Sequence, residues 1–209
     1  MKNTFIVTLV ALLSFSPITV AGSAAHAHVG HVSTSWADTP DQVGFLVAAT
    51  KEAQIAQFHS GLAIKKLVDI NWMKVHTLHV KHALDGEGAG PGLGYGVLNA
   101  AAGVVQHIEL AAGSVDASDN VKLHAQHIAA SANNTLKVAR EMLNICAIIN
   151  VSTQVDQIAA QLIELHRLAK VLSKGVDANG DGSISWVKGE GGLMHAQQHL
   201  GFLRSGENI

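Results

Sequence analysis

An all-α helical bundle is the fold class this sequence predicts, and three observations carry the prediction. Apolar residues recur at helical spacing, and the strict alternation of a half-buried strand is absent. Only three prolines, Pro17, Pro40 and Pro91, interrupt 209 residues, so long stretches are free of the residue that breaks helices. Alanine, the strongest helix former, is abundant throughout. Helices with one apolar face must bury it against one another, which gives a bundle of about four to five main helices.

The N-terminus is read separately. Met1-Lys2 is a short basic start, and Phe5 to Phe15 is an apolar run of signal-peptide length. Ala25-His26-Ala27 reads as a cleavage site ahead of His28, with Ser23-Ala24-Ala25 as the alternative. The run is too short for a membrane span, which needs ~20 apolar residues. The expectation is a periplasmic or secreted protein with no membrane span after processing. Three segments follow: a leader at 1–27, a histidine-rich bundle at 28–174 and a calcium-loop region at 175–209.

Element by element, Thr39-Pro40-Asp41 predicts a helix start, with Thr39 as cap and Pro40 at the first helical position. That helix is expected to reach about Ile70, and a second to span Trp72–Leu84, the two forming separate helices or one bent rod. The glycine-rich stretch 86–96 is a connection, expected to cross over the binding pocket. A third helix is expected at Val97–Ala112, a fourth capped by Ser118 and running to Ile149, and a fifth at Ser152–Ser173. A short final helix lies near Gly192–Leu203. No internal repeat is read along the chain.

Charge and composition exclude several classes. A net charge of −2 does not suit a nucleic-acid partner or an anionic membrane surface. A single cysteine excludes an internal disulfide, and without C-x-x-C-H there is no covalently attached haem. Cys146 falls on an apolar stripe and reads as a buried thiol.

Thirteen histidines are the chemical signal. Neutral imidazole is the commonest side-chain metal ligand and an axial ligand of haem iron. At 100° per residue, His76, His79, His107, His124 and His166 all point away from the wet faces of their helices. Counting residues from the connecting turns puts His76, His79, His107 and His124 at one height, which predicts a single site; His166 falls one or two turns away. All-imidazole ligation suits zinc, copper, nickel or iron. Haem b held by two histidines is the alternative, with Gly103 and nearby alanines making room for the macrocycle. A metalloenzyme with an open coordination position is a third reading, although no inward carboxylate offers a general base. A di-iron carboxylate site is disfavoured because Glu109 and Glu164 point outward. His195 and His199 form an i, i+4 pair of the kind zinc sites use. His59, His82 and His127 fall at the boundary between the inward and wet faces of their helices, and His28 with His31 suggests copper chelation at a flexible mature N-terminus.

Asp177-Ala178-Asn179-Gly180-Asp181-Gly182-Ser183-Ile184-Ser185-Trp186-Val187-Lys188 resembles an EF-hand calcium loop of the prokaryotic, dockerin-like kind. Oxygen-bearing residues stand at positions 1, 3 and 5, a glycine at 6 and an apolar residue at 8. The resemblance covers about 30 residues and implies Asp177, Asn179 and Asp181 as side-chain ligands, Ser183 through its carbonyl and Ser185 through water. It departs at position 12, where Lys188 replaces the expected glutamate; Glu190, two residues on, is the substitute carboxylate. Weak calcium binding is expected.

Overall fold

The computed structural model describes residues 23–209, so the apolar leader run lies outside the described residues. Among the described residues, seven α-helices form the bundle: α1 Ala24–Ser33, α2 Phe45–Ala63, α3 Ile70–Asp85, α4 Val97–Gly113, α5 Asp119–Val151, α6 Val155–Lys174 and α7 Leu193–Glu207. No helix among them is long and apolar enough to cross a membrane. The long α5 packs on α3, α4, α6 and α7, while α2 packs on α1, α3, α4 and α6. Fully buried Met142, Ile149, Ile158, Leu162 and Leu165 fill the space between α5, α6 and their neighbours. Each such side chain contributes about 1.5–3 kcal/mol by leaving water.

Several boundaries follow from identifiable local chemistry. Asp69 accepts a hydrogen bond from the Trp72 backbone N–H at 3.0 Å and so starts α3. Of the two expected arrangements, separate helices are the one formed, parted by a 3₁₀ turn at Ile64–Lys66. Ser118 caps α5 through the Val121 N–H at 3.1 Å, as its position predicts. Gly86, with φ of 77°, ends α3 in the left-handed conformation that favours glycine.

Two expectations need correction. Thr39-Pro40 opens only a 3₁₀ turn, Pro40–Gln42, and α2 begins later, at Phe45. The reason is the close crossing at Gly44, where a Cβ would lie 2.6 Å from the Ser33 carbonyl carbon. The segment assigned to a leader and a flexible N-terminus contains α1, which buries Ala25, Val29 and Val32 completely. Ser23 caps α1 through the His26 N–H at 3.2 Å, and Asp116 accepts the Ala24 N–H at 2.8 Å. A carboxylate there complements the positive end of the helix dipole.

The glycine-rich connection winds around Glu52 and His82 rather than over a histidine site. Glu52 is fully buried, and its Oε1 accepts the Tyr95 and Gly96 N–H groups at 2.9 and 3.1 Å, capping the start of α4. A Cβ at Gly92 would lie 2.5 Å from Glu52 Oε2, and one at Gly90 would lie 2.9 Å from the His82 ring. Close approach requires glycine at both positions.

Candidate metal centres

Nine of the histidines assemble into three groups of the same construction: His28, His31 and His107; His59, His76 and His79; His124, His127 and His199. In each, one helix supplies an i, i+3 pair, whose members share a face, and a neighbouring helix supplies a single imidazole. The pairs stand on α1, α3 and α5, and the singles on α4, α2 and α7. Apolar positions beside each pair hold its helix in place: Val29 and Val32 in α1, Met73 and Val80 in α3, Ala125 and Ile128 in α5.

The contacts repeat from site to site. His107 Nδ1 lies 3.0 Å from His28 Nδ1 and 3.2 Å from His31 Nδ1. His59 Nδ1 lies 2.9 Å from His76 Nδ1 and 3.2 Å from His79 Nδ1. His199 Nδ1 lies 3.1 Å from His124 Nδ1 and 3.2 Å from His127 Nδ1. Hydrogen bonding alone does not explain this. A neutral imidazole nitrogen carries one proton or one lone pair, so each central Nδ1 can satisfy only one of its two neighbours. Three lone pairs directed at a common ion satisfy all three rings. With metal–nitrogen bonds of about 2.0–2.1 Å, ligand nitrogens in such a centre stand about 3.3–3.6 Å apart, close to the observed separations.

Electrostatics favour the ligating form. Burial, reinforced by the neighbouring imidazoles, pulls His59 and His199 down to about 4. Burial likewise lowers His31, His76, His79, His107 and His127. These rings are neutral at pH 7 and present lone pairs without first releasing a proton.

Aromatic rings line every group. Trp36 lies 4.7 Å from both the His31 and His107 rings, and Phe45 stacks on His107 at 5.2 Å. Trp72 meets His76 edge-on at 4.4 Å, and Phe58 meets His59 at 5.2 Å. Trp186 stacks on His127 at 3.9 Å, and Phe202 lies 5.8 Å from both His124 and His199. Gly103 admits Phe45, since a Cβ there would lie 2.3 Å from the phenyl ring. The space expected to hold a macrocycle is filled by that ring.

A single centre formed by His76, His79, His107 and His124 is thus corrected to three. Equal height along a bundle does not bring side chains to one axis. Each pair meets the nearest single imidazole on an adjacent helix: α3 with α2, α1 with α4, α5 with α7. His166 joins none of them; its Nδ1 lies 3.0 Å from Ser60 Oγ. His195 and His199 do not converge either, because His195 Nε2 meets the Ile184 carbonyl at 3.0 Å.

Residue reading missed His28, His31, His59 and His127 as members of one pattern, and the signal was present. His-x-x-His recurs at 28–31, 76–79 and 124–127, a constant interval of 48 residues, and His59 and His107 are 48 apart as well. The chain does contain a spaced histidine repeat.

In the 177–188 loop, Asp177 accepts the Gly180 and Gly182 N–H groups at 2.7 and 2.9 Å, with Gly180 and Gly182 at φ of 75° and 87°. Asp181 Oδ1 accepts the Ser183 N–H at 2.9 Å, and its Oδ2 accepts the Asn179 amide at 3.0 Å. Lys188 is exposed. Glu190 is 1% exposed; its Oε2 accepts the Ser185 N–H and hydroxyl at 3.0 and 2.9 Å, and its Oε1 has no partner. The Val176 N–H donates to the Glu190 carbonyl at 2.9 Å and ties the ends of the loop together.

Fold and sites together define a helical bundle with three all-imidazole groups suited to a transition metal. No protein-family model matches the chain, and no curated protein or solved structure matches it.

Proposed function

We propose that this is an exported protein that holds three transition-metal ions per chain, one in each histidine triad. The observation that carries the reading is the repeated central Nδ1, which faces two other ring nitrogens at 2.9–3.2 Å in all three groups. Copper and zinc are the ions that three imidazoles suit best. No carboxylate belongs to any triad, so no general base stands within a centre, and holding ions fits the arrangement better than hydrolysis. Haem loses support because ring nitrogens about 3 Å apart leave no gap for a porphyrin plane.

Titration of the metal-free chain, followed by desalting and elemental analysis, should give three ions per chain. His59→Ala, His107→Ala and His199→Ala should each lower the count to two, and His166→Ala should leave it at three. Binding of one ion or none in the parent chain would overturn the reading.

A second ion, calcium, is proposed for the 177–190 loop, with Asp177, Asn179, Asp181, Ser183 and Ser185 as the resemblance assigns them. The buried, unpartnered Glu190 Oε1 favours closure through Glu190 in place of Lys188. A buried carboxylate oxygen without a donor is costly unless a cation accompanies it.

A further inference from the structure

We propose that the triads are built for a monovalent copper ion, Cu(I), and that Trp36, Trp72 and Trp186 select it over zinc. The inference rests on the triads being metal centres and adds the identity of the ion and the residues that choose it.

Aromatic residues make up only 4% of the chain, yet every tryptophan and phenylalanine among the described residues lies against a triad imidazole. Each triad receives one tryptophan and one phenylalanine. Three of these rings are not core filler: Phe58, Trp186 and Phe202 are 60%, 43% and 50% exposed. Tryptophan and phenylalanine rings set against all three sites, and found nowhere else among the described residues, mark a wall that each site requires.

The wall bears on the choice of ion in two ways. Zinc with three histidines completes a tetrahedron with a water, and the tryptophan and phenylalanine rings packed on the imidazoles carry no acceptor for that water's protons. Cu(I) is a closed-shell d¹⁰ ion that is satisfied by three nitrogen donors in a plane. Charge acts in the same direction, because no carboxylate belongs to a triad to neutralise the ion. The cost of burying an ion scales with the square of its charge, so a monovalent ion pays about a quarter of the divalent cost in the same surroundings. Indole also tolerates a nearby cation better than any other apolar side chain. Trp72 already carries one, with Lys66 Nζ 4.1 Å from its ring.

The test compares two ions on the full chain. Metal-free protein is titrated anaerobically with Cu(I) against bicinchoninate, and separately with Zn(II) against a zinc chelator, with tryptophan fluorescence as the site reporter. Cu(I) should quench the emission through three equivalents. Trp36→Leu, Trp72→Leu and Trp186→Leu should each weaken Cu(I) at one site by tenfold or more, while zinc at that site holds or tightens. Trp→Phe should restore most of the Cu(I) preference, and far-UV circular dichroism checks that each variant folds. X-ray absorption of the Cu(I) form should show three nitrogen neighbours. If the leucine variants weaken both ions equally, or neither, the tryptophans do not select and the inference fails while the triads stand as metal centres. If neither ion binds the parent chain, both readings fail.

Discussion

At the scale of the residue, the depressed histidines set a pH dependence for the metal-free protein. His59 and His199 titrate near 4 in the folded chain, against 6.5 for a free imidazole, because burial disfavours the charged ring. Between those values the unfolded chain binds more protons than the folded one, so stability rises with pH and falls on acidification through this window. The other lowered triad rings add in the same direction. Glu207 acts at lower pH. Hydrogen bonds from Ser118, His26 and Asn120 bring it to about 2, so its contribution is present above 4.5 and lost as pH falls toward 2. Thermal melts of metal-free protein should therefore hold their midpoint near pH 7.5 and lose it steadily as pH falls below 6.5 toward 5, before Glu207 contributes. An unchanged midpoint across that range would mean the triad rings are not buried neutral. Which histidines turn inward was legible only in part: the 100° rule picks out His76 and His107, but places the equally buried His59, His82 and His127 at the edge of their inward faces. Which ones meet was not, because helical phase gives direction from one axis and says nothing of the neighbour that answers it.

At the scale of the element, most helices were legible and α1 was not. α3, α4, α5 and α6 fall within a few residues of their expected bounds because caps such as Ser118 and glycines such as Gly86 mark them. Residues 24–33 carry small apolar residues that fit a leader's end as well as a short helix, and only the docking of Ala25, Val29 and Val32 separates the two. Cleavage after Ala27 would remove the first turn of α1 and the Asp116 cap that holds it. If the chain is exported, as proposed, its mature form is expected to begin at or before Ser23, and intact-mass measurement checks this. A mature chain beginning at His28 would show that α1 needs neither cap nor first turn. Helix packing also fixes Gly103. Gly103→Ala drives a Cβ into the Phe45 ring, and overpacking of this kind costs about 1–3 kcal/mol. Chemical denaturation should show that loss, and the same variant should weaken metal binding at the His28, His31 and His107 site alone.

At the scale of the whole molecule, the two proposed kinds of site share a residue. Trp186 stands at the tenth position of the 177–188 loop and stacks on His127 at 3.9 Å, 19° from parallel. The Ile184 carbonyl of the same loop meets His195 on α7, the helix that supplies His199 to that triad. Buried Asn134 of α5 donates to the Gly191 carbonyl at 2.9 Å, anchoring the chain just beyond Glu190. A calcium ion that fixes the loop therefore fixes the wall of the third triad and leaves the first two untouched. Coupling between two sites is reciprocal, so each ion must change the affinity of the other by the same factor. Millimolar calcium should raise transition-metal affinity at the His124, His127 and His199 site by several-fold, within the 5- to 150-fold range of about 1–3 kcal/mol typical of coupled sites. Calorimetry in the His59→Ala/His107→Ala chain, which keeps only the third triad, should show this gain. Asp177→Ala and Glu190→Gln should abolish it without changing affinity in the absence of calcium. If calcium binds but the third triad does not respond, the Trp186 contact is packing alone. If no calcium binds at millimolar concentration, the loop is a tight turn and the three triads work without it.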